Sequence, residues 1–186
     1  MRIIGNEREY SGSGTVLALG MFDGLHLGHR ALIGRAAELA RELGAESMVC
    51  TFDRHPRSVL FPGKAPAPLM TREQQLSEFE KLGMDWALIK HFDMEFADMA
   101  ADVFIASLVS ATKARGIVCG GNYSFGKGGA GGPDMLRELS GAFNYRLEVL
   151  PPVKDNGEMV SSTLIRALIK NGDLARADRL LGRTRD

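Results

Sequence analysis

The 186-residue sequence has little cysteine, no long apolar run and no excess charge of either sign. Its two cysteines, Cys50 and Cys119, lie in apolar segments typical of strands, which favours two buried thiols over a disulfide framework or a metal site. No apolar run is long enough to span a bilayer, and residues 1–14 lack the hydrophobic core of a signal peptide. We therefore expect a soluble, cytoplasmic protein without a membrane partner.

The charge balance is even, because 23 Lys and Arg residues are matched by 23 Asp and Glu residues. Such a chain has no general attraction for nucleic acid, so we expect no nucleic-acid partner. An even balance does not exclude a nucleotide bound at one local site. The length and an apolar content of 45% predict a single domain over residues 1–186 with a sizeable core.

Short apolar segments typical of buried strands alternate with helical segments through the first two-thirds of the chain. We predict strands at 15–21, 47–52, 86–92 and 116–120, and helices at 29–43, 71–83 and 97–111. The proline-rich stretch 53–68 is predicted to be a loop. A glycine-rich loop (121–132), a short helix (134–140), a strand (146–150) and helices from about 163 follow. This alternation predicts an α/β fold with a doubly wound parallel sheet.

The junction GMFDGLHLGHRALI, residues 20–33, ends the first of these strands and opens a helix. Ligands of parallel sheets bind beyond the carboxyl ends of the strands, which is where His26 and His29 lie. Gly24 and Gly28 permit close backbone approach, the helix N-terminus attracts anions, and two imidazoles can donate hydrogen bonds to phosphate. The pattern favours a phosphate site; the alternatives are a histidine metal pair and histidines that only cap the helix or face solvent.

The segment GNYSFGKG, residues 121–128, fits the phosphate-loop pattern, but Gly128 stands where Ser or Thr would bind magnesium. We therefore reject a P-loop NTPase. The loop still offers the polar Asn122 and two aromatic residues, Tyr123 and Phe125. These rings can flank a planar ligand beneath a mobile glycine-rich lid, or they can simply dock on the core.

The segment VSSTLIRALIK, residues 160–170, places three hydroxyl residues before an apolar helix, which is first of all a helix N-cap signal. Arg166 comes three residues after Thr163 and shares its face of the first helical turn. Hydroxyls, free amides and a guanidinium at one point suit a phosphate better than capping alone requires.

These segments together resemble the FMN adenylyltransferase (FAD synthetase) module of the bacterial bifunctional riboflavin kinase/FAD synthetase family, within the H-x-G-H nucleotidyltransferase superfamily. The resemblance covers about residues 3–183. It is carried by LGMFDGLHLGHRALI, TFDRHP, CGGNYSFGKGGAGG and SSTLIRALIKNGDLARADRLLGR, together with the 68–105 segment. It implies a Rossmann-like sheet of the nucleotidyltransferase type with C-terminal helices.

The resemblance also implies an activity: the phosphate of FMN attacks the α-phosphorus of ATP directly and in line, giving FAD and pyrophosphate with Mg²⁺ as the cofactor. The residues implied in catalysis are His26, His29, Asn122 and Arg166. Those implied in ATP binding are Gly20, Phe22, Gly24, His26, His29, Ser162, Thr163 and Arg166. Those implied in flavin binding are His55, Pro56 and Phe125, while the metal ligands are not identified.

The chain departs from the family pattern at Arg54, where the family usually has proline, and at Gly129 and Gly132 in the glycine-rich loop, with Asp134 nearby. The sequence ends at LLGRTRD, where bifunctional members continue into a riboflavin kinase domain, so we expect that domain and its activity to be absent. Two other functions stay open: nucleotidyl transfer to a different phosphate-bearing acceptor, and a weakened module that binds flavin or nucleotide without turnover.

Overall fold

A six-stranded parallel sheet forms the centre of the computed structural model, which describes residues 1–184. In chain order the strands are β1 (Arg2–Ile4), β2 (Thr15–Leu19), β3 (Glu46–Phe52), β4 (Trp86–Lys90), β5 (Ala114–Gly120) and β6 (Arg146–Leu150). They lie in the order β1-β4-β3-β2-β5-β6, and every neighbouring pair is parallel. The predicted α/β, doubly wound parallel sheet is thereby confirmed.

Helices cover both faces of this sheet. In chain order they are α1 (Leu27–Leu43), α2 (Pro56–Leu60), α3 (Arg72–Lys81), α4 (Met94–Ala97), α5 (Ala101–Thr112), α6 (Pro133–Phe143), α7 (Ser162–Lys170) and α8 (Leu174–Leu181). Side chains of α1 and α3 fill the core on one face, and those of α5 and α6 fill the core on the other. A central strand such as β2 is therefore buried along its whole length and consists almost entirely of apolar residues.

The direction of winding reverses beside β2, which has β3 on one side and β5 on the other. The chain passes from β2 outward through β3 and β4 and then returns to β5, so a topological switch point lies between the carboxyl ends of β2 and β5. Crevices at such points are the usual ligand sites of open parallel sheets. The switch point places the 20–26 turn and the start of the 121–132 loop side by side.

The prediction that 53–68 is a loop was wrong for its first part, because α2 lies within it. His55 caps this helix: its Nδ1 accepts a hydrogen bond of 3.1 Å from the amide of Arg57. Pro56 occupies the first helical position, where the amide hydrogen that proline lacks has no intrahelical partner. Proline excludes a helix interior but is compatible with a helix start.

The helix predicted over 97–111 begins later than expected, because the short α4 ends at Ala97 and α5 begins only at Ala101. The break is stabilised from outside, by the loop that follows β5. The amide of Lys127 donates to the carbonyl of Met99 at 2.8 Å, and the backbone of Gly126 packs directly against Ala101. The pattern of apolar residues in 97–111 carries no trace of this distant contact.

Two strand elements had no counterpart in the predictions: β1, and a small hairpin formed by β7 (Lys154–Asp155) and β8 (Glu158–Met159). Helices α7 and α8 pack into a separate apolar cluster beyond this hairpin. The predicted burial of Cys50 and Cys119 as free thiols is confirmed. Within residues 1–184, no helix is long and apolar enough to cross a membrane.

Candidate functional site

The turn that joins β2 to α1 has an unusual backbone. Phe22, Gly24 and Leu25 all have positive φ, at 54°, 80° and 46°. Side chains other than glycine rarely adopt this conformation, and such residues cluster at functional sites, where the surrounding structure compensates the strain. Gly20 is needed here for a different reason, because a Cβ at that position would lie 2.9 Å from the Phe22 ring.

Neighbouring strands and helices hold this turn in place. The Thr51 hydroxyl donates to the Met21 carbonyl at 2.9 Å, and the Gln75 side-chain amide donates to the Phe22 carbonyl at 3.0 Å. The Phe22 ring is fully buried and meets Phe79 edge-to-face. These contacts supply the compensation, so the turn is fixed before any ligand arrives.

His26 and His29 lie against each other at the start of α1. His26 is the N-cap, and its Nδ1 accepts a hydrogen bond of 3.3 Å from the His29 amide. The two rings stack with centroids 3.7 Å apart, and Gly28 leaves room for this, because a Cβ there would lie 3.2 Å from the His26 ring. His29 also meets the edge of Phe22, and its Nδ1 is buried with no hydrogen-bond partner in the described part of the chain.

Both imidazoles are neutral near pH 7. Burial lowers the pKa of His26 to about 4, against a smaller opposing influence of the Asp23 carboxylate. Burial also lowers the pKa of His29 well below its usual value, and the neighbouring His26 adds to this. A negatively charged ligand would shift both pKa values upward.

The depressed pKa of His26 predicts a pH-dependent stability. The unfolded chain takes up a proton at this residue below about pH 6.5 and the folded chain only near pH 4, so the free energy of unfolding falls as the pH drops through this window. From pH 7.5 to pH 5, His26 alone should cost about 2 kcal/mol. Urea unfolding measures this, with His26→Asn as the comparison because asparagine keeps an N-cap oxygen but does not titrate. Equal pH dependence in the two proteins would contradict the assignment.

A cavity of about 950 Å³ opens at the switch point, and we call it the main cavity. Its walls include the 20–29 junction, the start of the 121–132 loop, and the 150–153 and 159–161 segments. The volume is at the upper end of the range for small-molecule sites. No Lys, Arg, Asp or Glu side chain within residues 1–184 lines this cavity. The histidines that line it are His26, His29 and His55.

One wall of the main cavity is aromatic. We call this wall, which consists of Phe52, Phe92, Phe96, Phe104 and Phe125, the aromatic wall. Successive rings along it have centroids 5.1 to 6.0 Å apart, mostly edge-to-face. A continuous surface of this kind favours a large, flat, apolar ligand group.

The 121–132 loop completes this wall. Phe125 is buried in the core beside Phe104 and also borders the cavity, so its ring both docks on the core and faces the ligand space. The ring lies over Gly131, where a Cβ would approach it to 2.4 Å. Lys127 forms an exposed ion pair of 3.0 Å with Asp98 and does not line the main cavity.

The flavin-binding residues predicted in the proline-rich stretch also border the main cavity. His55 and Pro56 line it, and His55 in addition faces a smaller cavity of about 420 Å³. Arg54 does not reach the main cavity: it lines the smaller one and pairs with its neighbour Asp53 at 3.1 Å. Asn122 lies at the rim of the main cavity, at the end of β5.

The three hydroxyl residues 161–163 at the start of α7 make different contacts. Ser161 lines the main cavity and is the N-cap, accepting a hydrogen bond of 3.2 Å from the Leu164 amide. Ser162 donates through its hydroxyl to the backbone carbonyl of Asp23 at 2.9 Å. Thr163 is exposed, and Arg166 forms an ion pair with the Asp23 carboxylate. The lining of the main cavity does not include four of the predicted residues: Gly24, Ser162, Thr163 and Arg166.

Two positions that depart from the family pattern have local explanations. Gly129 has a φ of 70°, which glycine adopts without strain, and Gly132 is the N-cap of α6. Asp134 forms an exposed ion pair with Arg137 at 2.6 Å and takes no part in the cavity.

A resident metal site is not evident: within residues 1–184, no three His, Cys, Asp or Glu side chains lie close enough to hold an ion. The nearest carboxylate to the histidine pair along the chain is Asp23, which is already bonded to the Leu69 amide at 2.9 Å and to Arg166.

Sequence reasoning missed Ser161 and most of the aromatic wall. Phe92 and Phe96 had a weak signal, because Phe92 ends the predicted strand 86–92 and Phe96 lies four residues beyond it, at the edge of the sheet where ligands bind. Phe104 had none: its helical spacing is that of an ordinary core residue. Of the residues that were predicted, eight line the main cavity: Gly20, Phe22, His26, His29, His55, Pro56, Asn122 and Phe125.

The chain matches known proteins over most of its length. The family model described as "FAD synthetase" matches residues 9–164. The chain is 34% identical over 177 residues to a protein of Listeria monocytogenes named "Bifunctional riboflavin kinase/FMN adenylyltransferase", covering 94% of this chain and 55% of that protein. It is 31% identical over 183 residues to the Escherichia coli K12 protein of the same name, covering 98% of this chain and 58% of that one.

Among solved structures, the chain resembles one described as "Crystal Structure of Macrolide-efflux Protein from Streptococcus pneumoniae". The TM-score is 0.87 at 30% identity, and the match covers 98% of this chain and 61% of that one. The chain thus spans somewhat more than half the length of these relatives. The residues matched by the family model, 9–164, include every residue that lines the main cavity.

Proposed function

Because the chain belongs to the FAD synthetase family, we propose that it is an FMN adenylyltransferase, which transfers AMP from ATP to FMN and releases pyrophosphate. One observation supports this proposal most directly: the main cavity contains both the start of α1, with its two stacked histidines, and the aromatic wall. Each feature suits one part of the two substrates. Their shared cavity lets an FMN phosphate and the α-phosphate of ATP meet.

The flavin ring is proposed to lie against the aromatic wall. Its three fused rings are flat and largely apolar, which is the surface that stacked and edge-on phenyl rings recognise. His55 and Pro56 border the same space at the start of α2. The ribityl phosphate would then extend toward the switch point, where the backbone amides at the start of α1 attract anions.

The phosphates of ATP are proposed to lie over the start of α1 and against His26 and His29. No Lys or Arg among residues 1–184 lines the cavity, so these two imidazoles are the groups best placed to stabilise phosphate charge. Gly20, Phe22 and Gly24 shape the turn that presents them. Ser161, and beyond it Ser162 and Thr163, supply hydroxyls and amides at the start of a second helix, α7.

The chemistry needs no protein nucleophile. A phosphate oxygen of FMN forms the new P–O bond at the α-phosphorus as the bond to pyrophosphate breaks on the opposite side. A phosphate monoester is already anionic at neutral pH, so alignment and charge stabilisation account for the rate. Asn122, at the cavity rim, is proposed to orient the phosphates.

Mg²⁺ is proposed as the cofactor, bound to the ATP phosphates, where it would neutralise part of their charge. The Asn122 carboxamide oxygen is the protein ligand we propose for it. The reaction products are FAD and pyrophosphate. Two buried free thiols, Cys50 and Cys119, support the further proposal that the protein works in a reducing compartment, the cytoplasm.

An acceptor screen tests the proposed substrate. Purified protein is incubated with ATP and Mg²⁺ and, separately, with FMN, riboflavin, nicotinamide mononucleotide and a simple phosphate monoester, and pyrophosphate release is followed. We expect pyrophosphate release with FMN and with none of the other three acceptors. Release with another phosphate ester but not with FMN would move the assignment to a different acceptor, and binding of FMN without any release would indicate a binding module.

A further inference from the structure

The carboxylate of Asp23 joins three separate segments of the chain. One oxygen, Oδ1, accepts a hydrogen bond of 2.9 Å from the Leu69 amide, and the other, Oδ2, pairs with Nη2 of Arg166. The backbone carbonyl of the same residue accepts the Ser162 hydroxyl at 2.9 Å. The β2–α1 turn, the 61–70 loop and the first turn of α7 thus meet at a single aspartate.

Arg166 makes a second contact that strengthens this arrangement. Its Nε donates to the carbonyl of Ala67 at 2.8 Å, so the guanidinium bridges Asp23 and the 61–70 loop. The Asp23 and Arg166 side chains are 16% and 22% exposed, so water competes only partly for their interaction. Among residues 1–184, Nη1 of Arg166 forms no hydrogen bond, so this edge of the guanidinium can donate to a ligand.

The 61–70 loop packs tightly at the same place. Leu69 lies so close to Gly24 that a Cβ on the glycine would approach its side chain to 2.8 Å. The role of Gly24 here is therefore to admit Leu69 against the turn. This loop borders both ligand spaces, through Phe61 at the main cavity and through Pro66 and Pro68 at the smaller one.

The charges of this ion pair act on two of the histidines that line the main cavity. The Asp23 charge acts on both His26 and His55, and the Arg166 charge acts on His55. Since His55 lines the main cavity, the guanidinium is within electrostatic range of that space although it does not line it. A small change in its orientation would alter how strongly it acts on an anionic ligand.

We propose that Asp23 is a positioning residue for adenylyl transfer, which acts by fixing Arg166 and the 61–70 loop against the H-x-G-H turn. This inference rests on the proposed function. Asp23 does not touch substrate. It pairs directly with Nη2 of Arg166, and through the Leu69 amide it holds the loop whose Ala67 carbonyl accepts a hydrogen bond from Nε. The Nη1 edge of the guanidinium therefore keeps a set direction. The carboxylate charge is essential to this, whereas the Leu69 hydrogen bond needs only an oxygen acceptor.

The test uses Asp23→Asn, which keeps the side-chain shape and the acceptor for Leu69 but removes the charge. The matched control is Asp155→Asn, because Asp155 pairs with Arg176 at 2.9 Å, with side chains 19% and 20% exposed, and also ties a helix to a neighbouring segment. FAD formation is measured at varied ATP with saturating FMN, and again at varied FMN with saturating ATP. We expect kcat to fall about tenfold in Asp23→Asn with the KM for FMN unchanged, and to stay within about twofold of wild type in Asp155→Asn.

A double-mutant cycle separates positioning from a general structural effect. If Asp23 acts through Arg166, then Asp23→Asn should cause no further loss in an Arg166→Ala background. A wild-type kcat in Asp23→Asn, or a full additional tenfold loss in the double variant, would overturn the proposal. Thermal melts of all variants exclude loss of the fold as the cause.

Hydrogen exchange gives a readout that does not depend on turnover. We expect amides of the 61–70 loop to exchange faster in Asp23→Asn, while the same loop is unchanged in Asp155→Asn. Wild-type exchange in Asp23→Asn would overturn the proposal even if FAD formation is seen. A wild-type protein that makes no FAD would refute the proposed function, and the exchange result would still decide whether Asp23 holds the loop.

Discussion

Replacing His29 with alanine is expected to lower the turnover number for FAD formation about a hundredfold, the usual cost of removing one donor to a developing charge. His29 is buried at the start of α1, stacked 3.7 Å from His26, and its Nδ1 has no hydrogen-bond partner within residues 1–184. His29 is one of the two imidazoles proposed to stabilise phosphate charge, so the loss should appear in kcat. Steady-state FAD formation measures it.

The matched control is His91→Ala, which removes an imidazole that is 60% exposed and lines neither cavity. We expect it to retain turnover within about twofold of wild type. Thermal melting shows whether His29→Ala is folded at the assay temperature. A folded His29→Ala protein with wild-type kcat would remove this residue from the mechanism.

Gly126→Ala is expected to weaken FMN binding at least about tenfold while ATP binding stays within about twofold of wild type. Gly126 has a φ of 74°, and a Cβ there would lie 2.5 Å from the Cα of Ala101, where only movement of backbone can relieve the clash. The loop carrying Phe125 would shift away from α5 and disrupt the aromatic wall. Fluorescence titration of FMN and calorimetric titration of ATP measure the two affinities.

Gly128→Ala provides a control within the same loop. Its φ is 64°, so alanine there suffers a similar backbone strain of about 1 kcal/mol, but nothing lies within 4 Å of the new Cβ. We expect FMN affinity in this variant to stay within about threefold of wild type. Equal loss in the two variants would show that loop conformation in general matters, and not the docking of Gly126 on Ala101.

The sheet and the location of the site were predictable because they depend on local patterns. Buried strands such as β2 are almost wholly apolar, and the H-x-G-H turn follows a strand directly, so parallel topology alone places it at a ligand-binding edge. The helix start after His26 is likewise local, since the capping contact spans three residues. The start of the predicted helix 71–83 was local in the same sense, because the capping box of α3 joins Thr71 to Gln74.

The parts that sequence reasoning could not supply depend on contacts between distant segments. The break between α4 and α5 is held by Lys127, and the aromatic wall draws its rings from four places in the chain. The pairing of Arg166 with Asp23 crosses 143 positions. A guanidinium three residues after Thr163 was expected to face phosphate, and no local pattern could show that a carboxylate already holds it.

The most direct measurement of the central claim follows the phosphorus atoms of ATP. Purified protein is given FMN, Mg²⁺ and ATP labelled at either the α- or the γ-phosphate, and the products are separated by chromatography. We predict that the α-label appears in FAD and the γ-label in pyrophosphate, in equal amounts. Folded protein that binds ATP and FMN but leaves both labels in ATP would contradict adenylyl transfer to FMN.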